Sequence, residues 1–161
     1  MKNILPLLII AVFIVALFIS SDKDKATTHI SNSPTGQQKY QISKDITKEL
    51  EYIQSNQHLK EYIIDVIVNG SKQFNFKGGY MEAGFASKED APKIACYVMS
   101  LSGKKCQSDN TKDAAMFYSS ICAGCHGMDG KGINGTYPDL TRNKLLGILK
   151  EEEQILKKLK H

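Results

Sequence analysis

The run Cys122-Ala123-Gly124-Cys125-His126 constrains this 161-residue chain more than any other feature. Two thiols three positions apart on a short turn can add to two vinyl groups of one haem. The histidine that follows then points an imidazole nitrogen at the iron. Two other uses of paired cysteines compete with this one. A zinc half-site needs two more ligands at knuckle spacing, but the remaining cysteines, Cys96 and Cys106, stand ten apart. A thioredoxin-like dithiol expects a βαβ context, and the sequence offers no strand candidate longer than a few residues. One covalent haem c is the expected cofactor, held by Cys122 and Cys125, with His126 as an iron ligand.

The amino terminus is the second strong signal. Ile4 to Ile19 is wholly apolar apart from Pro6, and Lys2 precedes it. Sixteen residues of helix reach roughly 24 Å at 1.5 Å each, and Asn3, Ser20 and Ser21 bring the segment near bilayer length. A cleaved signal peptide competes, although Phe18-Ile19-Ser20 is a poor small-x-small cleavage site. Either reading takes the rest of the chain out of the cytoplasm. Residues 21–40 are polar, with Pro34 and Gly36, and read as a flexible linker in which His29 is solvated. The net charge of +4 is too small and too scattered for a nucleic-acid binder.

Residues 41–68 carry apolar groups at helical spacing: Ile42, Ile46, Leu50 and Ile53, then Leu59, Ile63, Val66 and Ile67. Asn56 at the join predicts two helices, and Asn69-Gly70 ends the second. A glycine-rich loop, Lys77-Gly78-Gly79-Tyr80-Met81, follows. Ser87 to Asp90 reads as a capping box for a helix reaching about Ser102, stopped by Gly103. A short helix runs through Cys122, a loop spans 127–139, and Leu145, Leu146, Leu149, Leu156 and Leu159 mark a last amphipathic helix. The expected fold class is all-α with long loops. Met99 and Met116 read as core packing, His58 as solvated, and Cys96 as a buried thiol. A bond from Cys96 to Cys106 is allowed in an oxidising compartment, although its geometry across a helix end is doubtful.

The stretch Ala114 to Leu140, AAMFYSSICAGCHGMDGKGINGTYPDL, resembles the amino-terminal half of a class I cytochrome c domain. It is most similar to cytochromes of the haem-copper oxidase subunit III type. Tyr118 matches the family's aromatic before the first Cys, and Ala114 stands where a Gly is usual. Asp129-Gly130-Lys131-Gly132 matches the post-haem loop. Pro138 matches the proline whose carbonyl accepts a hydrogen bond from the ligating histidine, which orients the imidazole.

The family's second axial ligand is a methionine downstream of the haem motif. Here only Met128 lies downstream, too close to reach the other face of the ring. Tyr62 to Gly103, containing GGYMEAGF and SKEDAPKIACYVMSLSG, resembles the carboxyl-terminal half instead. Met81 then matches the axial ligand, with Glu82 where Pro is common, and Tyr97 matches the aromatic of the terminal helix. The resemblance therefore implies a circularly permuted single-haem domain over residues 41–161. In it, 41–103 is the carboxyl-terminal half, 111–141 the amino-terminal half, and 142–161 an added helix. Surface ends that lie close together tolerate such permutation. A decayed two-haem chain is the competing history, in which Met81 is a relic and the second axial position is empty or filled by His58, His161 or a partner.

A haem with both axial positions filled by protein favours one-electron transfer over substrate chemistry. The resemblance implies a membrane-anchored electron carrier, not itself an enzyme. It would sit in the inner membrane as a single-pass protein with its haem domain on the periplasmic side. Its partners would be membrane-bound respiratory donor and acceptor proteins, between a quinol-oxidising complex and a terminal oxidase or reductase. Three alternatives stay open: a haem subunit of a larger oxidoreductase, an enzyme or sensor with an open iron position, and a non-redox interaction protein using the last helix.

Overall fold

The structure, a computed structural model, describes residues 36–106 and 111–158. The apolar segment Ile4–Ile19, the linker as far as residue 35, and His161 lie outside the described residues. No helix among the described residues is long and apolar enough to cross a membrane. The first helix, α1, covers Gly36–Ile53, so its first turn occupies the end of the stretch read as linker. The second, α2, covers Asn56–Asn69. Ser55 separates them, its hydroxyl accepting from the His58 amide at 3.1 Å, which satisfies a first-turn N–H that has no partner within the helix. Ile46, Ile53, Leu59, Ile63 and Ile67 are buried, whereas Ile42 stays exposed.

The expectation of helices and loops alone is corrected between residues 71 and 81. Ser71–Phe76 (β1) and Gly79–Met81 (β2) pair as an antiparallel hairpin, with Ser71 opposite Met81 and Phe76 opposite Gly79. Period-two alternation drives it: Phe74 and Phe76 are half-buried while Lys72, Gln73 and Asn75 face solvent. Gly70 closes the unit, because its φ is +75° and a Cβ there would lie 2.5 Å from the Met81 carbonyl oxygen. Met81 thus sits at the end of a strand.

Helix α3, Ala91–Leu101, packs against both α2 and the helix Thr111–Phe117, α4. A short helix, Ala123–His126, α5, follows α4 closely. Ile94, Met99 and Tyr118 are the largest side chains with almost no exposed surface. Met116, expected in the core, is 65% exposed. Gly103, at φ +73°, turns the chain back after α3, and the Lys104 amide donates to the Met99 carbonyl at 3.1 Å. That turn brings the Cα of Cys106 to 5.2 Å from that of Cys96, and the two form a disulfide. The reading of Cys96 as a thiol is corrected: the reversal at Gly103 supplies the approach that the spacing did not reveal. Closing a ten-residue separation constrains the unfolded chain by about 2–3 kcal/mol. Replacing both residues with serine should lower the unfolding free energy of the haem-loaded protein by that amount in denaturant titration. An unchanged midpoint would mean the bond contributes nothing.

The last helix, α6, covers Leu146–Lys158 and presents a different face from the one the leucines suggest. Gly147, Ile148, Glu152 and Ile155 are buried, whereas Leu149 and Leu156 are exposed. Glu152 tolerates burial because Lys144 Nζ lies 2.6 Å from its Oε1. Gly147 admits the Tyr62 hydroxyl, which would lie 1.9 Å from any Cβ there. His58 is likewise not solvated: its Nε2 lies 2.6 Å from Glu151 Oε2, tying α2 to α6. Helix α1 packs on α6, where Lys158 meets Glu49 at 3.1 Å.

Candidate functional site

Helix α4 does not stop at Phe117 but widens into a π-helical turn, Tyr118–Cys122, which leads into α5. The wider turn withdraws backbone partners from the preceding carbonyls. Ser119 and Ser120 fill the gap: both hydroxyls donate to the Met116 carbonyl at 2.8 Å, and Ser120 also reaches that of Phe117 at 3.2 Å. The two serines before Cys122 thus support the bend on which both cysteines are presented.

Tyr118 anchors the turn. Its ring has no exposed surface and lies 4.9 Å from that of Tyr97 on α3. Its hydroxyl donates to the Gly127 carbonyl at 2.9 Å, and burial pushes the phenol pKa far up. Cys122 and Cys125 are free and half-buried. Burial raises the Cys122 thiol, with the neighbouring Cys125 adding to the effect.

His126 Nδ1 lies 3.1 Å from the Pro138 carbonyl oxygen. A carbonyl can only accept, so Nδ1 carries the proton and Nε2 keeps its lone pair. Burial lowers the imidazole pKa and outweighs the raising effect of the Pro138 bond. A neutral imidazole with a bare Nε2 is the form that binds metal. The loop that delivers Pro138 is closed by backbone bonds: the Gly132 amide to His126 at 2.8 Å and the Leu140 amide to Gly130 at 2.7 Å. Gly132, at φ +67°, passes so close beneath Tyr137 that a Cβ would lie 2.1 Å from its carbonyl oxygen.

These residues line one open, mainly apolar cleft that holds about 1200 Å³ of empty space including its mouth. Helix α2 contributes Ile63 and Ile67, and α3 contributes Ile94 and Val98. The hairpin contributes Phe74, Phe76 and Tyr80 along with Met81, so the structure brings all four sequence-predicted residues, Cys122, Cys125, His126 and Met81, to one cavity. His58, the alternative ligand, does not line it. Sequence reasoning missed the aromatic wall of Phe74, Phe76 and Tyr137; the alternation around Gly78-Gly79 was its only signal. Among the described residues no group of three or more His, Cys, Asp and Glu is arranged for a bare metal ion. Two free thiols, a bare imidazole nitrogen and a thioether on apolar walls instead fit a haem c, which bonds the thiols itself.

Residues 112–161 match the cytochrome c family model. The chain is also similar to the cbb3-type cytochrome c oxidase subunit CcoP of Helicobacter pylori strain ATCC 700392 / 26695, at 41% identity over 78 residues, covering 46% of this chain and 27% of the relative. The same subunit of H. pylori strain 52 matches with the same identity and coverage. The chain thus spans about a quarter of the length of these curated relatives. No solved structure matches significantly. The match to the family model begins at Lys112, so residues 41–103 lie outside it. The segment bearing Cys122, Cys125 and His126 is therefore similar to cytochrome c, and the chain resembles part of a cbb3-type cytochrome c oxidase subunit.

Proposed function

We propose that the chain is a membrane-anchored c-type cytochrome that passes single electrons toward a terminal oxidase. The observation that carries this reading is the shared cleft: Cys122, Cys125, His126 with its Pro138 bond, and Met81 line the same apolar walls. Cys122 and Cys125 would attach one haem covalently, His126 would offer Nε2 to one axial position, and Met81 its sulfur to the other. When bound, the haem supplies a one-electron iron couple. The chain's own residues would give the ring apolar walls through Ile63, Ile94 and Val98, fix the imidazole tautomer through Pro138, and offer the iron an imidazole nitrogen and a thioether.

The permuted arrangement is part of this reading. Its support is that α3, read as the family's terminal helix, packs on α4, read as its first, with Tyr97 against Tyr118. Residues 1–20 would anchor the protein in the inner membrane with the haem domain on the periplasmic side. A linker over residues 21–35 would give that domain a reach of roughly 20 Å and hold it at high effective concentration near its partners. Donor and acceptor would be membrane-bound respiratory proteins.

A second reading, a resident haem subunit of a larger oxidase, is favoured by the relatives being named as oxidase subunits. Potentiometric titration of the purified protein tests the shared core of both: one haem per chain and a single one-electron wave are expected, and a second haem or a two-electron wave would overturn it. Purification from membranes separates the two readings. A carrier leaves the oxidase in mild detergent, whereas a subunit stays with it at fixed stoichiometry.

A further inference from the structure

We propose that Thr136, Tyr137 and Pro138 form a strap that sets the spacing between the two axial ligands, with Tyr137 seated on Gly78 as its positioning contact. The inference rests on His126 and Met81 being those ligands. Each of the three consecutive residues makes one link. The Thr136 carbonyl accepts from the Gly78 amide at 3.0 Å, which fastens the strap to the hairpin turn. The Pro138 carbonyl takes the Nδ1 proton of His126 at 3.1 Å, which fastens it to the imidazole. Between them, the Tyr137 ring lies against Gly78, where a Cβ would come within 2.3 Å of Cε1 and Cζ.

Tyr137 also touches the haem-attachment turn. Its ring centroid lies 6.5 Å from that of His126. Met81 follows Gly78 by three residues along β2. One aromatic ring thereby bridges the motif that carries one ligand and the hairpin that carries the other. Gly78 does not have a left-handed φ, so alanine is conformationally allowed there, and a substitution acts only through the missing space. Gly132 also leaves the strap clearance, since its own Cβ would meet the Tyr137 backbone.

The test uses the full-length, haem-loaded protein and four variants: Gly78→Ala, Tyr137→Phe, Tyr137→Ala, and Gly78→Ala with Tyr137→Ala. The readouts are the weak near-infrared iron–sulfur band of the oxidised form, carbon monoxide binding by the reduced form, and haem content per chain. Gly78→Ala should lift the hairpin and raise the carbon-monoxide-binding fraction by about tenfold or more, as one overpacked methyl can, while haem content is unchanged. Tyr137→Phe keeps the ring and should retain the band. Tyr137→Ala removes the strap itself and should lose the band, and in that background Gly78→Ala should raise carbon monoxide binding no further, because the ring it would strike is already absent. A wild-type band that persists in Gly78→Ala, or an equal effect in both backgrounds, overturns the strap alone. A wild type without the band overturns the axial assignment and the strap with it. If Gly78→Ala does not accumulate, Tyr137→Ala decides: a lost band at full haem content supports the strap, and a wild-type spectrum overturns it.

Discussion

A chain with alanine at both Cys122 and Cys125 carries no covalent haem, whereas one with serine at both Cys96 and Cys106 keeps its full complement. The two cysteine pairs differ in chemistry, not merely in position. Cys96 and Cys106 are committed to each other, and a disulfide sulfur cannot add to a vinyl group. Cys122 and Cys125 are free, three residues apart on a turn that opens into the cleft. Haem-dependent peroxidase staining on a denaturing gel reads the outcome directly, because only covalent attachment survives denaturation. The effect is all-or-none for the double alanine variant. Either single variant should retain a weaker stain and a red-shifted reduced spectrum, since one vinyl group then stays conjugated with the ring. Persistent staining without both thiols would place attachment elsewhere.

Met81→Ala should leave haem attached while lowering its reduction potential and opening the iron to carbon monoxide. A thioether favours the reduced iron, and its loss replaces a soft protein ligand with water. Axial ligation moves haem potentials over a range of about 0.8 V, so a fall on the order of 0.1 V or more is expected. Two controls separate ligation from packing. Met128, next to the haem motif, is 66% exposed, and its alanine variant should titrate as wild type. Met99 is buried at 1% exposure on α3, so Met99→Ala should cost about 2–5 kcal/mol of stability with little change in potential. A potential in Met81→Ala equal to that of wild type would leave Met81 as a hairpin side chain and nothing more.

The parts of the fold written in single-element periodicity are legible in the sequence. Helices α1, α2 and α3 follow their apolar spacing, and Gly70 and Gly103 turn the chain where glycine is needed. The motif named its own chemistry through residue type and spacing. What stayed hidden depended on non-local geometry. The hairpin rests on two phenylalanines in a six-residue strand, too short a run to distinguish from loop. The buried stripe of α6 contains Glu152, whose partner Lys144 precedes the helix, so a polar residue concealed the face and the leucines pointed to the wrong one. His58 looked solvated because Glu151, its partner, is 93 residues away in sequence. Cys96 looked free because the Gly103 reversal that brings Cys106 back leaves no periodic mark.

The central claim is that one haem lies between His126 and Met81, drawn from the two separate segments that meet at the cleft. The near-infrared absorption of the oxidised protein, wild type beside Met81→Ala, tests it most directly, because the iron–sulfur band requires a methionine on the iron. The expected result is a weak band in wild type that is absent from the variant, at equal haem content. Two identical spectra, with or without the band, would contradict it.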